Sequence, residues 1–238
     1  MWLEPVVWLI ALAMLTGTLA NSVSGIGFGL VCAPLLALVM DPRQAAALTI
    51  LMSCPSGALV LFHDRRSARL KDAALILVPG VLTAPLWAIA LANVAQTSLA
   101  RAAGATVLVS VALLAVGFRS QRLTGTAGAV VAGAAASAMT MLAAVGGPPV
   151  ALYAMNVGWD ASRARATLQM IFLPLNGVAL IALGVPQWQP SVYLPALVGL
   201  AMGLLAGVPV VRYVSPRIAR NLTLLLAAVS ATTLLFTA

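Results

Sequence analysis

Apolar residues fill this chain in long runs, and polar residues interrupt them at intervals. The runs cover Pro5 to Met40, a helix reaching about Phe62, about 73 to 92, 101 to 118, Thr124 to Val157, Ala166 to Leu183, Ser191 to Val211 and Ala219 to Phe236. Most approach or exceed the ~20 residues that a helix needs to cross a bilayer. The pattern predicts an all-α polytopic membrane protein with about eight transmembrane segments, and residues 1–238 read as a single transmembrane domain.

Two runs carry helix breakers. Gly25, Gly27, Gly29 and Pro34 fall inside the first, and Gly146, Gly147, Pro148 and Pro149 inside Thr124 to Val157. Glycine costs about 1 kcal/mol relative to alanine in a helix interior and proline about 3, so both runs are expected to open their backbone. Opened backbone at membrane depth is tolerated only where it is buried in protein or lines a water-filled cavity. Both breaks are therefore expected at a binding site. The limbs after them, Leu30 to Met40 and Val150 to Val157, are too short to span, which predicts hairpins.

The polar punctuation sets orientation. Asp41 reads as an N-cap, with Pro42 at the first helical position and Gln44 closing a capping box. The loop His63 to Lys71 holds Arg65, Arg66, Arg69 and Lys71 and is the strongest cytoplasmic signal. With that loop inside, Arg119 and Arg122 fall inside as well. The Arg212 to Arg220 loop joins them if Thr124 to Val157 enters and returns to one face, which also brings Gly158 to Arg165 inside. If Pro5 to Met40 does the same, both termini lie outside and the halves, about 5–118 and 124–237, form an inverted repeat. Spacings agree: Pro34 and Met40 match Pro149 and Met155, while Arg43, Ala46, Leu48 and Gly57 match Arg163, Ala166, Leu168 and Gly177. The N-terminal run lacks a basic start and is expected to be retained rather than cleaved.

Each half thus opens with a Gly-rich break followed by proline, GIGFGLVCAPLL and AVGGPPVALY, and then an Arg-plus-Ala helix start, RQAAALT and RARATLQ. In this plan the whole chain resembles the sulfite exporter TauE/SafE family of permeases. The resemblance implies an inner-membrane transporter of sulfite or a related organosulfur anion. The second half departs from a fuller glycine cluster by carrying Ala143, Ala144 and Val145 ahead of Gly146.

Composition sharpens the chemistry. Hydrophobic residues make up 62% of the chain and charged residues 8%, against about 25% charged in soluble domains. The net charge of +8 sits in short loops, as the positive-inside rule expects, so no nucleic-acid partner is implied. There is no phosphate-binding G-x-x-x-x-G-K-[ST] loop, no Cys/His cluster for a metal and no catalytic constellation, so neither an enzyme nor a cofactor is expected. Cys32 and Cys54 read as small hydrophobes. The acidic residues Glu4, Asp41, Asp64, Asp72 and Asp160 all lie at run ends. No midplane carboxylate awaits a cation or a proton, and the site should take an anion.

Helix N-termini at the two breaks would supply N–H groups and partial positive charge to that anion. Asn21, Ser22, Ser24, Ser53, Ser56, Ser137, Thr140, Gln169 and Asn176 flank the breaks and could add hydrogen bonds, although packing or back-bonding is the ordinary role of each. Arg43 and Arg163 are charged candidates in first helical turns. For Arg163 and Arg165 the competing role is topological, and for Arg43 it is pairing with Asp41. The candidate binding set is Asn21, Ser24, Gly25, Gly27, Gly29, Pro34, Arg43, Ser53, Thr140, Gly146, Gly147, Pro148, Pro149, Arg163, Gln169 and Asn176. Gly199, Gly203 and Gly207 form a small-residue face expected to pack against another span, or to form the seam of a homodimer. The rival readings are a non-transporting membrane assembly or partner protein, and an anion channel.

Overall fold

A computed structural model describes residues 5–120, 123–213 and 216–237. Expectations resting on Glu4, on Arg122 and on the side chain of Arg212 lie outside the described residues. Among these, all regular structure is helical: α1 (Pro5–Ser24), α2 (Gly27–Ala37), α3 (Pro42–Asp64), α4 (Leu70–Ala92), α5 (Gln96–Val116), α6 (Gly125–Ala143), α7 (Gly147–Asn156), α8 (Ala161–Leu183), α9 (Pro190–Tyr213) and α10 (Pro216–Thr237), with a 3-10 turn at Arg65–Ser67. Seven of them, α1, α3, α4, α5, α6, α8 and α9, are long and apolar enough to cross a membrane. The eighth expected span, α10, offers a shorter apolar stretch, Arg220–Phe236, among the described residues.

Helix starts follow the polar punctuation. The Asp41 carboxylate accepts from the N–H groups of Arg43 and Gln44 at 2.9 and 3.2 Å, with Pro42 at the first position of α3. Gln44 does not close a capping box. Its Oε1 accepts instead from the N–H of Gln187 at 3.1 Å and ties α3 to the loop before α9. Asp160 caps α8 by accepting from the N–H of Arg163 at 2.9 Å and the hydroxyl of Ser162 at 2.8 Å. Those bonds hold its carboxyl below the usual carboxylate range.

The breaks are shorter than the glycines and prolines suggest. The first is only Gly25 and Ile26, with Gly25 in the left-handed region at φ +76°. Gly27, Gly29 and Pro34 all lie inside α2, which starts three residues before the expected Leu30. In the second break Ala144 takes the left-handed role at φ +55°, Val145 and Gly146 follow, and Pro148 and Pro149 fall in the first turn of α7. Most of these residues pack or start helices rather than open backbone. A Cβ on Gly27 would meet Ala20 of α1, and one on Gly29 would meet the carbonyl of Ala144. The α1–α2 pair is antiparallel: Gly27 lies against Ala20, Gly17 against Cys32, and the Cys32 thiol donates to the carbonyl of Ala13 at 3.0 Å.

Backbones approach closely wherever small residues permit, as expected where lipid tails leave helix association to packing. α9 lies on α1, with Gly199 against the Ala11 carbonyl, Gly203 against Thr18 and Gly207 against the Ser22 hydroxyl. The glycine face of α9 is thus used within the chain. α6 lies on α4 in the same manner, with Gly133 against the Ile76 carbonyl. α3 packs on α8 and α5 on α10. This scaffold surrounds α2 and α7, whose residues Leu30, Val31, Cys32, Leu36 and Val150 are fully buried. Large apolar side chains such as Leu82, Ile89, Ile181 and Leu205 face outward, as a lipid-facing surface requires.

Candidate functional site

The N-termini of α2 and α7 meet. Gly29 touches the Ala144 carbonyl, and the Cβ position of Gly147 lies 2.8 Å from that of Ile26, so each break rests on the other. Beside this contact a cavity of about 40 Å³ is walled by Asn21, Gly25, Ile26, Phe28, Gly29, Ile50, Ser53, Thr140, Ala144, Val145, Gly146, Gly147, Gln169, Phe172 and Asn176. Among the described residues, no charged side chain lines it. That volume holds a few waters or one small ion.

Its polar groups form a bonded frame. Gln169 on α8 donates from Nε2 to Oδ1 of Asn21 at 3.2 Å and to the Gly25 carbonyl at 2.8 Å. Asn21 passes the link to α3 by donating to Oγ of Ser56 at 2.9 Å. On the opposite wall Asn176 donates to Oγ of Ser53 at 2.9 Å, and Ser53 donates to the Ile50 carbonyl at 2.7 Å. Thr140 donates to the Ala136 carbonyl at 2.7 Å and Ser24 to that of Ala20 at 2.7 Å. The hydroxyls therefore turn their single hydrogens onto their own helices, while the amides bridge between helices. Ser137, one turn from Thr140, is buried without a hydrogen-bond partner among the described residues.

Counting hydrogens shows what is left for a ligand. An amide NH₂ has two: Gln169 spends both, Asn21 spends one among the described residues, and Asn176 gives one to Ser53 and also bonds the Cys54 side chain. The first turn of a helix adds N–H groups without intrahelical partners, and no side chain caps α2 or α7. α2 thus presents the N–H groups of the lining residues Phe28 and Gly29. In the first turn of α7 only Gly147 has one, because Pro148 and Pro149 have none. The free hydrogens and both helix dipoles carry positive potential toward the cavity.

Of the residues expected at the site, Asn21, Gly25, Gly29, Ser53, Thr140, Gly146, Gly147, Gln169 and Asn176 line the cavity. The structure places the others elsewhere. Gly27 is a packing residue, Ser24 faces a neighbouring vestibule, Pro34 lines a small void against α3 and α5, and Pro148 and Pro149 start α7. Arg43 reaches across to α4 and donates to the carbonyls of Leu91, Ala92 and Val94 at 2.9, 2.7 and 3.1 Å. It satisfies the C-terminal end of α4, where a cation meets the negative end of the dipole. Arg163 is partly exposed and pairs with Asp160 at 3.6 Å. Ile26, Phe28, Ile50 and Phe172 line the cavity but carried no signal, since an apolar residue in an apolar run does not stand out.

One ion pair also went unforeseen. Nε of Arg165 donates to Oδ2 of Asp64 at 2.8 Å, with side chains only 17% and 13% exposed. It joins the end of α3 to the start of α8. The Arg165 backbone lies 3.1 Å from where a Gly25 Cβ would stand, so only glycine fits that turn comfortably.

Comparison with known proteins matches residues 9–234 to the family described as Sulfite exporter TauE/SafE. No curated protein and no solved structure matches the chain.

Proposed function

Since this multi-pass membrane chain belongs to the sulfite exporter TauE/SafE family, we propose that it is a secondary transporter carrying sulfite or a related organosulfur anion outward across the inner membrane. The observation that carries this reading is the meeting of two uncapped helix N-termini at one polar cavity with no charged side chain. A cation would find no carboxylate there, whereas an oxyanion finds convergent N–H groups. Ile26 and Gly147 close the cavity on one side, which favours a carrier over an open channel.

The proposed architecture is the inverted repeat α1–α5 and α6–α10. Its support lies in matched parts. α3 and α8 have 23 residues each, Pro55 and Pro174 stand equally far from their capping aspartates, and Asn21 and Thr140 both precede a left-handed residue by four. The α1 on α9 and α4 on α6 contacts exchange under that symmetry. Arg65, Arg66, Arg69, Arg163, Arg165 and Arg220 gather at the helix ends of one face, which the positive-inside rule makes cytoplasmic. Both termini are then outside. With no carboxylate at the cavity to move a proton, an interior-negative potential of ~100 mV favours anion export by ~2.3 kcal/mol per charge.

Tracer flux in proteoliposomes tests the proposal, with a potassium gradient and valinomycin setting the potential. Sulfite should leave faster from vesicles that are negative inside. An absence of sulfite and organosulfonate flux would remove the transport reading, and potential-independent flux would remove uncoupled export.

A further inference from the structure

A second cavity, of about 270 Å³, opens on the basic face beside the first. Its wall is mostly apolar, with Leu30, Leu114, Ala151, Met155 and Trp159, and Arg165 and Arg220 are its two basic lining residues. The carboxylates near it are already engaged. Asp64 is paired with Arg165, and Asp160 is bonded to Ser162 and Arg163. Arg220 has no ion pair among the described residues. The vestibule therefore has an uncompensated positive charge over a weakly solvating wall. Among the described residues, Ile26 alone lines both cavities.

We infer that this vestibule is an entry subsite for the transported anion, held by Arg220 with Arg165 behind it, and that the Ile26 side chain alone separates it from the inner cavity. The inference rests on the transport reading given above and adds a second anion position in series with the first. Arg165 is the less mobile of the two cations, because Asp64 fixes its Nε. Arg220 is free to follow the anion. Movement inward then requires Ile26 to leave its seat on Gly147, where its Cβ lies 2.8 Å from the glycine's Cβ position.

Thiol labelling tests this without relying on transport. Ile26→Cys, and separately Met155→Cys on the vestibule wall as a second reporter, are made in a Cys54→Ser background. Each is treated in oriented membrane vesicles with an anionic and a cationic methanethiosulfonate of similar size. Both reporters should react from the basic face and not from the other, with the anionic reagent favoured relative to a free thiol. Arg220→Gln should lower that preference about tenfold, the scale on which a charged cleft focuses ions. Labelling from the opposite face, or a preference unmoved by Arg220→Gln in both reporters, would overturn the inference. Flux measured on the same preparations separates the two claims. Charge-selective labelling without sulfite flux would leave the vestibule standing and remove the transport reading. Sulfite flux with charge-blind labelling would do the reverse.

Discussion

Gly25 and Gly158 hold similar left-handed backbones, φ +76° and +70°, but only Gly25 is crowded: a Cβ there meets Arg165, whereas nothing lies within 4 Å at Gly158. Gly158→Ala should therefore cost only the left-handed penalty, about 1 kcal/mol, and Gly25→Ala clearly more. Thermal unfolding of the two variants in detergent checks the order, and equal losses would remove the argument from crowding. Gln169→Leu breaks both links from α8 to α1 and should destabilise by about 1–2 kcal/mol, since interhelical bonds in membranes average below 1 kcal/mol each. Asn21, Ser53, Thr140, Gln169 and Asn176 were legible in the sequence because a small polar group in an apolar run needs a partner. Arg43 was legible only as a misfit. A cation in a first helical turn opposes its own dipole, and nothing in the sequence showed that the carbonyls of Leu91, Ala92 and Val94 would compensate it.

At the scale of elements, the helical segments and both hairpin turns followed from hydropathy and from the density of glycine and proline. The extent of the breaks did not. Glycine reads alike whether it opens a turn, as Gly25 does, or lets backbones touch, as Gly27 and Gly29 do. In the proposed repeat, the equal spacing from the caps Asp41 and Asp160 to the helix prolines Pro55 and Pro174 sets Arg43 against Ser162, one residue from the Arg163 that the sequence pattern sets it against. The Asp64–Arg165 pair holds α3 to α8 at the start of the vestibule. Because each partner is mostly removed from water, losing either alone leaves a poorly solvated charge. Asp64→Asn and Arg165→Gln combined should destabilise by less than the sum of the two single losses, with a coupling of about 1 kcal/mol or more in a double-mutant cycle. Additivity would mean that the pair does not fasten these helices.

For the molecule as a whole, the distribution of charge ties fold to function. The basic face carries the 3-10 turn, the start of α8 and the vestibule, and the cavity lies between the two breaks. Reporter fusions after residues 67, 119, 160 and 237 should place the first three in the cytoplasm and the last outside. A cytoplasmic C-terminus would contradict the inverted repeat, because the number of crossings would then differ.

The central claim is that a small anion passes through the cavity between α2 and α7. Asn176→Asp tests it most directly, by putting a carboxylate of the same shape into the wall. The Ser53 hydroxyl can turn to satisfy that group, so the fold should survive. Sulfite flux in proteoliposomes at alkaline pH, where the new carboxyl is ionised, should collapse relative to the parent protein while the purified variant keeps its unfolding temperature. It should recover in part as acidification neutralises the carboxyl. Undiminished sulfite flux at alkaline pH in a folded Asn176→Asp variant would contradict the account.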